Sequence, residues 1–213
     1  MSIPKSQIPL ATPKRAHYFD PVPEVESKRR TLHLRTGDLD LELQADRGVF
    51  GSRAIDLGTL TLLKEAAPPP AGGELLDLGS GYGPIAIALA RRSPAARVWA
   101  VDVNLRALEL TRANAAAAKT PNVVASLPDE VPADLRFAAI YSNPPVRVGK
   151  APLHDLLQRW LPRLEPGGKA YLVVQRNLGA DSLAAWLETE GYAVERLKSK
   201  KGYRVTSVSA GPR

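Results

Sequence analysis

Between residues 31 and 43, in TLHLRTGDLDLEL, apolar and polar side chains alternate with period two on both sides of Thr36-Gly37-Asp38. That period puts every second side chain on one face of a strand, and the glycine suits a tight turn, so a β-hairpin is expected. In RGVFGSRAIDLGTLTLLKEA (47–66) the apolar residues Ile55, Leu57, Leu60, Leu62 and Leu63 suggest a helix, which APPPAGG stops. From residue 74 strands and helices alternate. ELLDLGS, ARVWAVDVN, NVVAS, FAAIYSN and GGKAYLVVQ read as buried strands. Between and after them, GPIAIALARRS, LRALELTRANAAAA, APLHDLLQRWLPRL and DSLAAWLETEG read as helices. YAVERLK and YRVTSVSA follow as two strands with SKKG between them, the pattern of an antiparallel hairpin.

This alternation argues for an α/β fold, a doubly wound sheet with helices on both faces. The expected organisation is one domain over 31–213: a hairpin at 31–45, a segment at 47–66 and an α/β core at 74–213. A basic, proline-rich arm at 1–30 precedes it. With 213 residues the chain can bury a sizeable core. It contains no cysteine, which excludes a disulfide framework, a thiolate nucleophile and a cysteine-ligated metal. His17, His33 and His154 are too scattered for a metal site, and none is expected. No stretch approaches the ~18 apolar residues of a membrane helix, and the first residues lack the apolar core of a secretion signal. A cytoplasmic protein is therefore expected, with no membrane partner.

The net charge of +7 lies at the two ends: +4 over residues 1–36 and +5 over 191–213, against −2 between them. A basic face attracts polyanions through phosphate neutralisation and counterion release. The alternative is a protein that is merely soluble and basic.

LLDLGSGYGP (75–84) lies where a strand meets a helix, at the first crossover of the α/β core. Gly79, Gly81 and Gly83, with Ser80 among them, let the backbone turn tightly and bring a ligand close to the peptide groups and the next helix N-terminus. Asp102, 19 residues beyond Gly83, ends the next strand, where a carboxylate can accept both hydroxyls of a ribose. The dinucleotide fingerprint needs glycine where this chain has Pro84, and the phosphate loop ending in Gly-Lys-Ser/Thr is absent. Asp77 would repel a pyrophosphate and suits the amino group of methionine. The set favours S-adenosyl-L-methionine over NAD or ATP; a purely structural glycine turn is the competing reading.

Residues 75–104 resemble the first two motifs of the Rossmann-like S-adenosylmethionine-dependent methyltransferases, which adds Val103 and Asn104 to the cofactor contacts. Asn143-Pro144-Pro145 stands after the fourth strand of the core, where the amino-methylating branches carry [D/N]-P-P-x. More narrowly, HYF (17–19), RGVFGSRAIDLGTLTLL (47–63), NPPVRVGK (143–150), PGGKAYLVVQ (166–175) and KKGYRV (200–205) resemble the 16S ribosomal RNA guanine-N2 methyltransferases and their single-domain relatives. The fold implied is a seven-stranded sheet with its last strand antiparallel.

The resemblance implies a role for Asn143-Pro144-Pro145. An exocyclic amino group is conjugated with its base and is a poor nucleophile. Two acceptors, the side-chain oxygen of Asn143 and the carbonyl of Pro144, would favour a pyramidal nitrogen with its lone pair on the methyl. Pro145 and Val146 would lie at the base, with Phe19, Tyr18 and Phe50 as candidates to stack on it. Arg147 and Lys150, with Lys198, Lys200, Lys201 and Arg204, would form a phosphate-contacting rim. Asp56, Gly58 and Thr59 match the segment that closes over the methionine end of the cofactor. Ser126 and Leu127 match the region that brackets adenine, Leu127 through an apolar contact and a backbone hydrogen bond.

The expected function is methyl transfer to guanine N2 in 16S ribosomal RNA, with ribosomal RNA or the small ribosomal subunit as partner. Adenine N6, a transfer RNA base or a protein glutamine are alternative acceptors; an RNA-binding assembly factor without catalysis is a different class. A monomer and a dimer fit the sequence equally.

Overall fold

The computed structural model describes residues 25–146 and 149–211, so most of the arm at 1–30 lies outside them. The hairpin is present as β1 (Arg30–Arg35) and β2 (Asp40–Ala45), antiparallel with Leu32 opposite Leu43. The expected helix at 47–66 is shorter: α1 covers Leu57–Glu65. Gly48 and Gly51 take φ of 81° and 72°, left-handed values that a right-handed helix cannot contain. Asp56 then starts α1, its carboxylate accepting from Thr59 N at 3.0 Å.

The α/β core follows the expected order: β3 (Gly72–Leu78), α2 (Pro84–Arg92), β4 (Ala95–Val101), α3 (Leu105–Ala117), β5 (Val123–Ser126) and β6 (Phe137–Ser142). After these come α4 (Lys150–Trp160), β7 (Leu164–Gln175), α5 (Ala180–Thr189), β8 (Tyr192–Lys200) and β9 (Tyr203–Ala210). The seven core strands form one sheet in the order β5-β4-β3-β6-β7-β9-β8, with β9 antiparallel to both neighbours. Strand β8 runs past the expected 198 to Lys200. The turn needs two residues, Lys201 (φ 47°) and Gly202 (φ 83°), both left-handed as the primed hairpin turns require.

Successive side chains leave a strand on opposite faces, so one strand feeds two cores. Leu75, Val98, Ala139, Tyr171 and Val205 join the core under α1, α2, α3 and the hairpin. Leu76, Trp99, Ile140, Leu172 and Val208 join the core under α4 and α5. Asp77 shares the first face with Leu75 and is fully buried there.

Asn114, inside the alanine-rich α3, fastens the hairpin to the core. Its Oδ1 accepts from Gln44 N at 2.7 Å, and its Nδ2 donates to Gln44 O and Tyr82 O at 2.8 and 2.9 Å. The side chain is 1% exposed, so losing it strands a part-buried strand N–H and two carbonyls. Asn114→Ala is expected to destabilise the protein by about 2–4 kcal/mol in urea unfolding. A change below about 0.5 kcal/mol would show that water replaces these bonds without penalty.

Candidate functional site

The sheet order reverses between β3 and β6: β4 and β5 extend one way from β3, and β6 begins the other half. The crevice at the carboxyl ends of such a pair is where doubly wound sheets bind ligands. Here the register sets Leu78 against Ser142, and Ser142 Oγ donates to Leu78 O at 2.7 Å. The glycine loop and Asn143 thus leave adjacent strands side by side.

The loop is built for close approach. Gly79 N and Ser80 N both donate to Val101 O, at 2.8 and 3.0 Å, turning the chain over the end of β4. Gly83 has φ 87°, and a Cβ there would lie 2.9 Å from the Thr111 methyl. Proline follows as the first helical residue, its missing N–H costing nothing at that position.

Two carboxyls lie under the loop. Asp77 Oδ2 accepts from Ala86 N at 2.9 Å, while its Oδ1 and the Ser80 hydroxyl are buried without a protein partner. Burial, reinforced by the charge of Asp102, pushes the Asp77 carboxyl up to about 8. Asp102 accepts from Gly81 N at 2.8 Å and Asn104 N at 2.9 Å, which fixes its orientation; burial raises it too.

Two pockets meet at Gly79. One is lined by Phe50, Gly51, Asp56, Thr59, Ser80, Gly81, Tyr82 and Asn143. The other is an apolar slot formed by Leu78, Val101, Val103, Pro128, Pro145, Leu156 and Trp160, with Asp102 at its wall.

Asn143 is held by the turn before α1. Its Nδ2 donates to Asp56 Oδ2 at 2.8 Å and to Thr59 Oγ1 at 3.2 Å. Both amide hydrogens are committed there, which turns the carbonyl Oδ1 the other way. Tyr203 closes the same corner, its hydroxyl donating to Asp56 Oδ1 at 3.4 Å. The Pro144 carbonyl accepts from Val146 N at 2.8 Å and keeps one lone pair for a second donor.

The structure thus gathers Gly79, Ser80, Gly81, Asp102, Val103, Thr59, Phe50, Pro145 and Asn143 around one crevice, with Asp77 fully buried at the end of β3, two residues before Gly79. Other expected residues lie elsewhere. Gly58 does not line the pocket; it is glycine because a Cβ would meet Tyr203 Cε1 at 2.8 Å and Asp56 Oδ2 at 2.7 Å. Asn104 caps α3 through Ala107 N and donates to Gly48 O at 2.9 Å, so it braces the site from behind. The Leu127 N–H is taken by Glu130 Oε2 at 2.8 Å, and Pro128, not Ser126 or Leu127, lines the apolar slot. Val146 packs on the core under α4. Arg204 is buried, ion-paired with Asp181 and no part of a surface rim. Lys150, Lys198, Lys200 and Lys201 are exposed, whereas Tyr18, Phe19 and Arg147 lie outside the described residues. Helix periodicity reads Trp160 and Leu156 as core, and Tyr82 stands in the glycine loop, where the glycines alone carry the signal. Among the described residues no group of three His, Cys, Asp or Glu could hold a metal, and no helix is long and apolar enough to cross a membrane.

The residues fit S-adenosyl-L-methionine. A buried Asp77 oxygen without a protein partner suits a cationic amino group, the Asp102 carboxylate suits a pair of ribose hydroxyls, and an apolar slot beside it suits a base. Such a crevice on this sheet order is that of the S-adenosylmethionine-dependent methyltransferases.

Residues 40–207 match the Methyltransferase small domain family, and the chain belongs to it. An uncharacterized protein of Bacillus subtilis, YbxB, is 33% identical over 192 residues, 89% of this chain and 96% of that one. The ribosomal RNA small subunit methyltransferase C of Pseudomonas aeruginosa is 35% identical over 160 residues, 73% of this chain and 48% of that one. Among solved structures, the T. thermophilus 16S rRNA N2 G1207 methyltransferase in complex with AdoMet and guanosine superposes with TM-score 0.73. It is 25% identical, and the match covers 88% of this chain and 52% of that one. The chain therefore spans about half the length of these ribosomal RNA enzymes.

Proposed function

We propose that the protein methylates the N2 amino group of a guanine in RNA, with small-subunit ribosomal RNA, free or in the subunit, as substrate. The observation that carries this is the Asn143 amide, locked by Asp56 and Thr59 so that its carbonyl is offered as an acceptor beside the glycine loop. The names of its relatives in Pseudomonas and T. thermophilus support the choice of base and of RNA.

When bound, the cofactor supplies a methyl carbon on a sulfonium. Asp77 and Ser80 would hold its amino end, Asp102 its ribose, and Val103, Pro128 and Trp160 its adenine. Asn143 Oδ1 and the remaining lone pair of Pro144 O accept the two N–H bonds of the target amine. This draws the nitrogen out of conjugation and aims its lone pair. Pro144 and Pro145 restrict the backbone, so little reorganisation accompanies the reaction. Phe50, 55% exposed at the pocket rim, offers a face for the base.

Incubating the protein with methyl-labelled cofactor and small ribosomal subunits or their RNA, then digesting to nucleosides, is expected to yield N2-methylguanosine by mass spectrometry. Recovery of N6-methyladenosine, or of label in protein glutamine, would replace the proposed acceptor.

A further inference from the structure

Behind Phe50 lies a cleft of about 410 Å³ that the methyl-transfer site does not use. One wall is Val25, Glu26, Lys28 and Arg30; the other is Arg47, Gly48, Ser52 and Arg53. Lys28, Arg30, Arg47 and Arg53 are all exposed, and none forms an ion pair within the described residues. Four unpaired cations against one acid make this opening strongly electropositive.

Buried groups hold it open. Asp46, 2% exposed, accepts from Ser27 Oγ at 2.6 Å, Lys28 N at 2.5 Å and Arg47 N at 2.7 Å, clamping both walls. Burial raises the Asp46 carboxyl, but those three bonds and the Arg106 charge outweigh it and hold the group below its usual range. Arg106 spans the walls from below, donating to Val25 O at 2.9 Å and Arg47 O at 2.8 Å. Asn104, whose own N–H is bound by Asp102, donates to Gly48 O, so the cleft shares its footing with the cofactor loop. The segment 47–53 divides the two sites: Arg47, Gly48, Ser52 and Arg53 face the cleft, Phe50 and Gly51 the crevice with Asn143.

We infer that this cleft grips the sugar–phosphate backbone of the RNA strand beside the target nucleotide. The inference rests on the RNA reading above. Exposed cations along an open channel suit a backbone that passes through, since each phosphate is neutralised without desolvating a buried charge. The shared wall then delivers the neighbouring nucleotide over Phe50 to Asn143.

The test uses a fluorescein-labelled 12-nucleotide single-stranded RNA with a central guanosine, titrated at several salt concentrations. The variant carries Lys28→Gln, Arg30→Gln, Arg47→Gln and Arg53→Gln; Lys64→Gln with Lys169→Gln serves as a control on exposed lysines elsewhere. Single strands lose about 0.7 in the slope of log K against log salt per phosphate contact. The quadruple variant is expected to lose about 2 to 3 of that slope, with affinity at least 10-fold weaker and cofactor affinity by calorimetry unchanged. The control should match the parent. If the quadruple variant does not fold, Lys28→Gln with Arg53→Gln reads the same effect at about half its size. Parental slope and affinity in a variant that binds cofactor would overturn the cleft and leave the RNA reading intact. A parent protein that binds no RNA would overturn both.

Discussion

Asn143→Asp is expected to lower turnover by about 10²- to 10³-fold, and adding Asp56→Asn to the same chain is expected to restore most of it. The order of magnitude is that of removing one preorganised hydrogen-bonding group from a polar transition state. Aspartate is an acceptor, and on its own chemistry it could replace asparagine opposite an amine. Its neighbour forbids this here. Asp56 Oδ2 lies 2.8 Å from Asn143 Nδ2, so an aspartate would place two carboxylates in contact in a part-buried corner. One would swing out or take up a proton. With asparagine at 56 the pair is reversed: its amide donates, the aspartate accepts, and the free oxygen again faces the amine. The reversal weakens the cap of α1, because the Asp56 Oδ2 that it replaces with an amide nitrogen also accepts from Thr59 N, so the double variant is expected to be less stable by about 1 kcal/mol. Asn143→Ala is expected to lose as much activity as Asn143→Asp, with cofactor affinity within a few-fold of the parent. Steady-state transfer rates and calorimetry measure both. An Asn143→Asp variant as active as the parent would end the argument that Asp56 sets the amide's direction.

Asp77→Asn should weaken cofactor binding by about 10- to 100-fold, the worth of a charge-assisted hydrogen bond, and make the ligand-free protein more stable at pH 8. The Ala86 N–H keeps an acceptor in the amide, so the substitution removes mainly the buried charge. Folding raises the Asp77 carboxyl from 3.8 to about 8. Between those pH values it is protonated in the folded chain and ionised in the unfolded one, so stability falls as pH rises through the window. Asp102, raised for the same reason, adds to the fall. The parent should therefore lose melting temperature between pH 5 and 8 more steeply than the Asp77→Asn variant. A cationic ligand stabilises the ionised carboxyl, so binding at pH 7 should release a proton, seen as a dependence of the calorimetric heat on buffer. Equal affinity of the two proteins would show that Asp77 does not hold the ligand.

The strand and helix order, the glycine loop and the two carboxyls were legible in the chain because each follows from local rules. Period two, period 3.6, turn residues and loop spacing need no knowledge of the rest of the fold. The antiparallel ending was legible too, since four residues cannot carry a parallel crossover. Errors arose where a residue's partner is distant. Gly58 looks like a ligand-binding glycine until Tyr203 is packed against it, and Arg204 looks like a surface cation until Asp181 is found beside it. Leu127 is the exception, losing its donor to a near neighbour, Glu130, three residues on. The basic cleft was the least visible feature. Its cations are split between 28–30 and 47–53, and they meet because of the single buried acid Asp46.

The corner that holds Asn143 joins parts of the chain that lie far apart: Asp56 bonds to a residue 87 positions later and to Tyr203, 147 positions later. Contacts of such separation form late, because loop closure must be completed before they stabilise anything. A partly folded chain with an intact glycine loop would still lack this corner, so it could retain affinity for the cofactor while leaving the acceptor unmethylated. Amide exchange at Thr59 and Leu60 should accordingly track catalytic competence, whereas exchange along β3 and β4 should report only that the sheet is present.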